Sequence, residues 1–186
     1  MKHLIRNTLG LAVLPAFLSL GLHAENTGPG YVDFGKFTPP ASGGEFVEVQ
    51  INSNLISMAA RLTEKSEPEV AELLRGLKLV RVNVIGLNGE NRDDMEKRVK
   101  TIRSELDGKG WERVVTAQQK GEDVGVYVKT RGQEAVEGIV VTVLAAKGEA
   151  VLVNVVGDIK PEKLAVLGDR FNIEPLKKIG PTLEKK

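Results

Sequence analysis

The stretch from Glu137 to Phe171, EGIVVTVLAAKGEAVLVNVVGDIKPEKLAVLGDRF, reads as strand, turn, strand, turn, helix, and it constrains the fold more than any other part of the chain. Ile139 to Leu144 and Val151 to Val156 are dense in Val, Ile and Leu, which suit a pleated surface, and Lys147-Gly148 supplies the turn of a β-hairpin. Val151, Val153 and Val155 point one way and Leu152, Asn154 and Val156 the other, so both sides of the second strand are largely apolar, as in a central strand. Asn154 is its one polar exception. Gly157-Asp158 is expected to break the strand, and Pro161 to open a short helix whose Leu164, Leu167 and Phe171 form a stripe that lies back across the hairpin. At about 1.5–3 kcal/mol per large apolar side chain, such a unit leads core formation but needs the rest of the sheet to offset its chain entropy.

The remaining length suffices for one domain: 186 residues, 41% hydrophobic, with only 4% aromatics, imply a single aliphatic core. The absence of cysteine excludes disulfides, thiolate metal sites, cysteine catalysis and lipid attachment through an N-terminal cysteine. Lys2 and Arg6 precede an apolar run from Leu9 to Leu22, and Leu22-His23-Ala24 resembles a small-residue cleavage site, so residues 1–24 read as an export signal cut after Ala24. The run is shorter than the roughly 18 residues that a membrane span needs, and it contains Pro15, so no stable span is expected after cleavage. Cleavage would remove two of 26 basic residues and none of 25 acidic ones, leaving 24 − 25 = −1. That balance lacks the basic footprint nucleic acid requires.

In chain order, residues 25–45 form a Gly/Pro-rich lead-in whose Tyr31, Phe34 and Phe37 are expected to tuck into the domain edge. Phe46 to Ile51 alternates as a strand, Asn52-Ser53 caps a helix with Leu55, Met58, Ala59 and Leu62 as its core contacts, and a capping box at Ser66 and Glu69 opens a second helix with Val70, Leu73 and Leu74 inward. Lys78 to Ile85 is a strand again. Two intervening helices allow a crossover long enough to set these strands parallel. The longest helix, about Arg92 to Asp107, turns Met95, Val99, Ile102 and Leu106 inward. From Trp111 onward four strands follow in close succession and predict an antiparallel meander. The single domain spans 46–171, and 172–186 is a Lys-rich tail.

Both histidines, His3 and His23, lie in the export signal, so the mature chain has neither imidazole nor thiol and the Ser-His-acid and Cys-His arrangements are unavailable. Asp93-Asp94 sit in a first helical turn, where the helix dipole favours them, and Glu122-Asp123 sit in a turn. Gly86-x-x-Gly89 lacks the glycine and lysine pattern of a phosphate loop. No catalytic residue, metal site or cofactor is assigned. Asn154, an amide needing a partner inside an apolar strand, and Asp158, in the turn after it, are the two candidate ligand-binding residues, each with a structural explanation that competes.

The tract GEDVGVYVKTRGQEAVEGIVVTVLAAKGEAVLVNVVGDIKPEKLAVL, with its strand-turn-strand followed by Val156-Gly157-Asp158-Ile159 and a Leu-bearing helix, resembles the C-terminal half of bacterial domain-of-unknown-function family 4252. The resemblance runs from about Glu45 onward. It implies an exported α+β domain and a link to envelope signalling, and it brings no catalytic residues; the lipobox cysteine that some members carry is missing here. The expected fold is a two-layer α+β sandwich, with a mixed, mostly antiparallel sheet of about six strands and helices mainly on one face. The expected function is that of a non-enzymatic periplasmic or secreted domain that binds a protein or envelope component through a sheet edge or an uncovered sheet face. A small-ligand domain with a pocket between sheet and helices is the alternative, and a carboxylate-dependent hydrolase ranks third.

Overall fold

The structure, a computed structural model, describes residues 28–41, 43–119, 121–146, 148–160 and 163. The expected export signal, the helix expected around Leu164, Leu167 and Phe171, and the expected Lys-rich tail lie outside the described residues. Among the described residues nine elements follow in the order β1 (Phe46–Asn52), α1 (Ser53–Thr63), α2 (Pro68–Gly76), β2 (Leu77–Gly86), α3 (Arg92–Gly108), β3 (Glu112–Gln119), β4 (Glu122–Arg131), β5 (Ala135–Leu144) and β6 (Glu149–Ile159). The strands form one sheet, ordered β1-β2-β6-β5-β4-β3, and every neighbouring pair is antiparallel. This is an α+β sandwich.

The Val-rich hairpin sits at the centre, as its two apolar sides require, with β6 flanked by β2 and β5. Adjacent strand residues point to opposite faces. On one face Val126, Val128, Ile139, Val141 and Val155 meet Ile56 of α1 and Leu73 of α2. On the other, Tyr127, Val140 and Leu152 meet Met95, Val99, Ile102 and Leu106 of α3, together with Phe34 of the lead-in and Trp111. Two of the three helices thus share one face. The stripe expected on α3 is buried at all four positions, and Asp93 and Asp94 occupy its first turn, where the dipole's positive end favours their charge.

Two expectations about strands fail for tertiary reasons. β1 and β2 are antiparallel, not parallel: Phe46 faces Ile85 and Asn52 faces Leu79. α1 and α2 pack against each other, so the chain goes out along one helix, returns along the next and re-enters the sheet at the end it left. A single crossing helix would have carried it to the opposite end. β6 also does not break at Gly157-Asp158 but continues to Ile159, with Gly157 opposite Leu77. A Cβ on Gly157 would stand 2.4 Å from the Gly76 carbonyl oxygen, so this glycine allows the end of α2 to close on the strand. The capping box at Ser66 is also absent: α2 begins after Glu67 with no side-chain cap, and the Ser66 hydroxyl donates to the Thr63 carbonyl instead.

The lead-in is packed rather than merely tethered. Phe34 is buried, and Gly30 lies so close to β5 that a Cβ on Gly138 would stand 2.6 Å from both the Gly30 Cα and the Trp111 ring. Gly138→Ala must therefore push apart the lead-in, the tryptophan or the strand. It is expected to cost about 1–3 kcal/mol, the usual range for overpacking, read as a lower midpoint in urea unfolding followed by Trp111 fluorescence.

Candidate functional site

Asn154 points from β6 toward the α3 face and is fully buried. Its Nδ2 donates to the Gly30 carbonyl at 3.0 Å and the Ile139 carbonyl at 3.2 Å, while its Oδ1 accepts the Val32 N–H at 2.9 Å. These bonds satisfy the amide and fasten the lead-in across the sheet. Asp158 lies near the end of the same strand, half exposed, with both carboxylate oxygens 3.0 Å from Nη2 of Arg131. The two candidates have different partners, the main chain of the lead-in and of β5 for Asn154 and Arg131 for Asp158.

Sequence reasoning passed over Arg81 and Asn83. They alternate with valines along β2, which reads as a solvent-facing row, yet both are buried, Arg81 against the lead-in. Arg81 donates from Nη2 to the Gly35 carbonyl at 3.1 Å, lies 3.7 Å from Asp33 and 3.5 Å from Glu48, and sits over the Phe34 ring. The signal was present in the aromatics spaced through the lead-in, which need a surface to cover. Neither side-chain polar atom of Asn83 has a hydrogen-bond partner among the described residues. Because a buried unpaired polar group costs about 1–3 kcal/mol, Asn83→Val is expected to leave stability unchanged or raise it by up to that amount in urea titration.

A cleft of about 540 Å³ lies between α3 and the edge of the sheet, lined by Arg92, Glu96, Val99, Lys100, Arg103, Ser104, Asp107, Arg113, Gly121, Asp123 and Leu144. Most of its charges are used internally. Arg103 reaches across Gly125, donates from Nη1 to both oxygens of Asp123 at 2.9 Å and from Nε to the Thr142 hydroxyl at 3.0 Å. Arg92 donates to the Ala145 and Ala146 carbonyls of the β5–β6 turn and lies 3.6 Å from Glu96. Arg113 pairs with Asp107. Lys100 is the lining cation with no carboxylate in ion-pair range among the described residues. The acids of the cleft each face an arginine rather than one another, so the arrangement offers no acid and base pair for hydrolysis. Among the described residues no cluster of His, Cys, Asp or Glu is suited to a metal ion.

Tyr127 packs beneath this cleft, and burial pushes its phenol above the usual value, with the Arg113 guanidinium beside its ring pulling the other way. A raised phenol means that the unfolded chain ionises first, so this group's contribution to stability is intact below pH about 10 and is lost as pH rises through the folded value. Tyr127→Phe should therefore flatten part of the decline in stability above that pH, measured by urea unfolding across alkaline buffers.

The third feature is a surface. The expected inward stripe of α1 is reversed: Ile56 and Ala60 are buried, whereas Leu55, Met58 and Leu62 are 49%, 52% and 78% exposed. Both stripes are apolar, and the slimmer one won because Ala60 and Ile56 let α1 lie close against α2 and the sheet. Val47 and Val49 of β1 are exposed as well. Five of the six exposed large apolar side chains among the described residues therefore fall between Val47 and Leu62.

A family model for a domain of unknown function, DUF4252, matches residues 42–167, well over half of the chain. The chain belongs to the DUF4252 family. No curated protein and no solved structure matches it. The matched span takes in the whole sheet and α1, α2 and α3, so the cleft and the apolar surface both lie in the DUF4252 domain proper, while the strap from residue 28 to 41 precedes it. No helix of the described residues is long and apolar enough to cross a membrane.

Proposed function

We propose that this DUF4252 protein is a non-enzymatic binding domain, exported to the periplasm or beyond, that holds a protein or other envelope component on the surface built by β1 and α1. The observation that carries this reading is the concentration of exposed apolar side chains between Val47 and Leu62, on an edge strand and the helix that follows it. Full burial of a large apolar side chain from full exposure is worth about 1.5–3 kcal/mol, and the part of that still open here scales with exposures from 36% at Val49 to 78% at Leu62. The α3 face, by contrast, is closed by the lead-in and by arginines that bond to the protein itself. The basic N-terminus and short apolar run support export, and the resemblance to exported domains is a reason to look for such binding in envelope signalling.

A second reading, a small-ligand domain, is favoured by the α3 cleft, where Lys100 and Ser104 face the opening; it requires an anionic ligand to compete with carboxylates already paired to the surrounding arginines.

The Met58→Asp, Leu62→Asp double variant separates the two. Both positions are exposed, so stability should stay within about 0.5 kcal/mol of the parent per site. Crosslinking in an extract of the protein's own cell envelope should recover a partner with the parent chain and lose it with the double variant. Equal recovery from both would show that the α1 surface is not the contact.

A further inference from the structure

The edge at β1 is built differently from the edge at β3. β3 pairs with β4 through a register shift between Arg113 and Val115, and its outer positions are mostly polar. Bulges and charges of this kind are how sheet edges avoid pairing with other strands. β1 has none of these devices: its seven residues, FVEVQIN, pair with β2 without a register shift and include no proline, no lysine and a single acid.

The phase of this edge follows from one hydrogen bond. The Gly86 N–H donates to the Glu45 carbonyl at 2.6 Å, in the same register that sets Phe46 opposite Ile85. In an antiparallel ladder the bonded pairs alternate, so Val47, Val49 and Ile51 direct their main-chain groups to β2, and Phe46, Glu48, Gln50 and Asn52 direct theirs outward. A second antiparallel strand must bond to those outward residues.

We propose that the occupant of this edge is β1 of a second copy of the chain, paired antiparallel about a two-fold axis at Val49, which joins two six-stranded sheets into one. The proposal rests on the reading of the β1 and α1 surface as a contact surface, and it names the occupant of the strand edge alone, leaving the α1 helix to the envelope component. With the axis at Val49, Glu48 bonds opposite Gln50 of the second copy and Phe46 stands opposite Asn52 of the second copy, so each outward residue of the strand has an opposite. Val49 meets Val49 of the second copy, and Val47 meets Ile51 of the second copy, at the close, non-bonded positions where side chains touch. Moving the axis to Glu48 sets two carboxylates directly opposite each other, which is destabilising, and moving it to Gln50 leaves Phe46 without an opposite in the strand. The sequence of β1 is thus complementary to itself in one register. The axis stands perpendicular to the sheet, so the valine rows of both copies, with Val80, Val82 and Val84 of β2 behind them, run on as one surface, and α1 of each copy lies on that same side.

The chain has no cysteine, so introduced cysteines report on this register alone. Full-length protein purified as cells make it should scatter light as a dimer, and Val49→Lys, which sets two ammonium groups against each other at an exposed edge position, should halve that mass while leaving the circular dichroism spectrum unchanged. Val49→Cys should form a disulfide-linked dimer on mild oxidation. Val47→Cys and Ile51→Cys should crosslink when mixed, and neither should crosslink alone. A monomeric parent, a dimer that survives Val49→Lys, or a Val49→Cys chain that captures only a different protein would each overturn self-pairing. The wider binding reading fails separately: a dimer with no envelope partner would remove the heterologous contact, and a monomer that still loses its partner in the Met58→Asp, Leu62→Asp variant would retain it.

Discussion

A strand that is apolar on both sides must be covered on both sides, and β6 imposes that requirement on the rest of the protein. Val151, Val153 and Val155 face the layer of α1 and α2, and Leu152 with Val156 faces the opposite way. The position of β6 between β2 and β5 satisfies its main-chain groups, and the helices then have to divide between the two faces. α3 is long enough to cover one face with a single four-residue stripe. α1 and α2 share the other, and since they form a helical hairpin, the strands on either side of them become antiparallel neighbours.

The two faces differ in how completely they are closed. On the α3 side the lead-in crosses the sheet and is held by Asn154, by Arg81 and by Arg98, which donates to the Phe34 carbonyl at 3.0 Å and stacks on Phe37. Polar groups buried there recruit main-chain atoms of the strap, so desolvation is offset by hydrogen bonds and the strap is held to one path. The α1 side has no such strap among the described residues. Its helices cover the end of the sheet nearest Leu77 and Ile159, while Val47 and Val49 at the β1 edge remain exposed. The α1 side is therefore the more open of the two, while the cleft beside α3 is spanned by the protein's own ion pairs.

The sequence was most readable where neighbours along the chain decide the outcome. The β5–β6 hairpin, the meander that contains it, and the Met95, Val99, Ile102 and Leu106 stripe all follow from periodicity, because each has only one apolar side available or two that are equally apolar. α1 was ambiguous for the opposite reason. Leu55, Met58 and Leu62 form the stronger hydrophobic stripe, but the weaker one at Ile56 and Ala60 fits closer to α2, a choice made by a helix outside the window that periodicity samples. Asn154 was legible as an amide in need of a partner; that the partner is the main chain of Gly30 and Val32, over 120 positions away, was not.

Composition and pattern alone determined an aliphatic α+β domain without thiol chemistry, a central Val-rich strand, and the identity of the family, since these depend on residue type and short-range spacing. Tertiary structure alone decided which side of α1 meets water, that β1 and β2 run antiparallel, and that Arg81 and Asn83 are buried rather than in solvent. The physical reason is the same in each case. Burial is a property of what arrives from elsewhere in the chain, and no local window contains it.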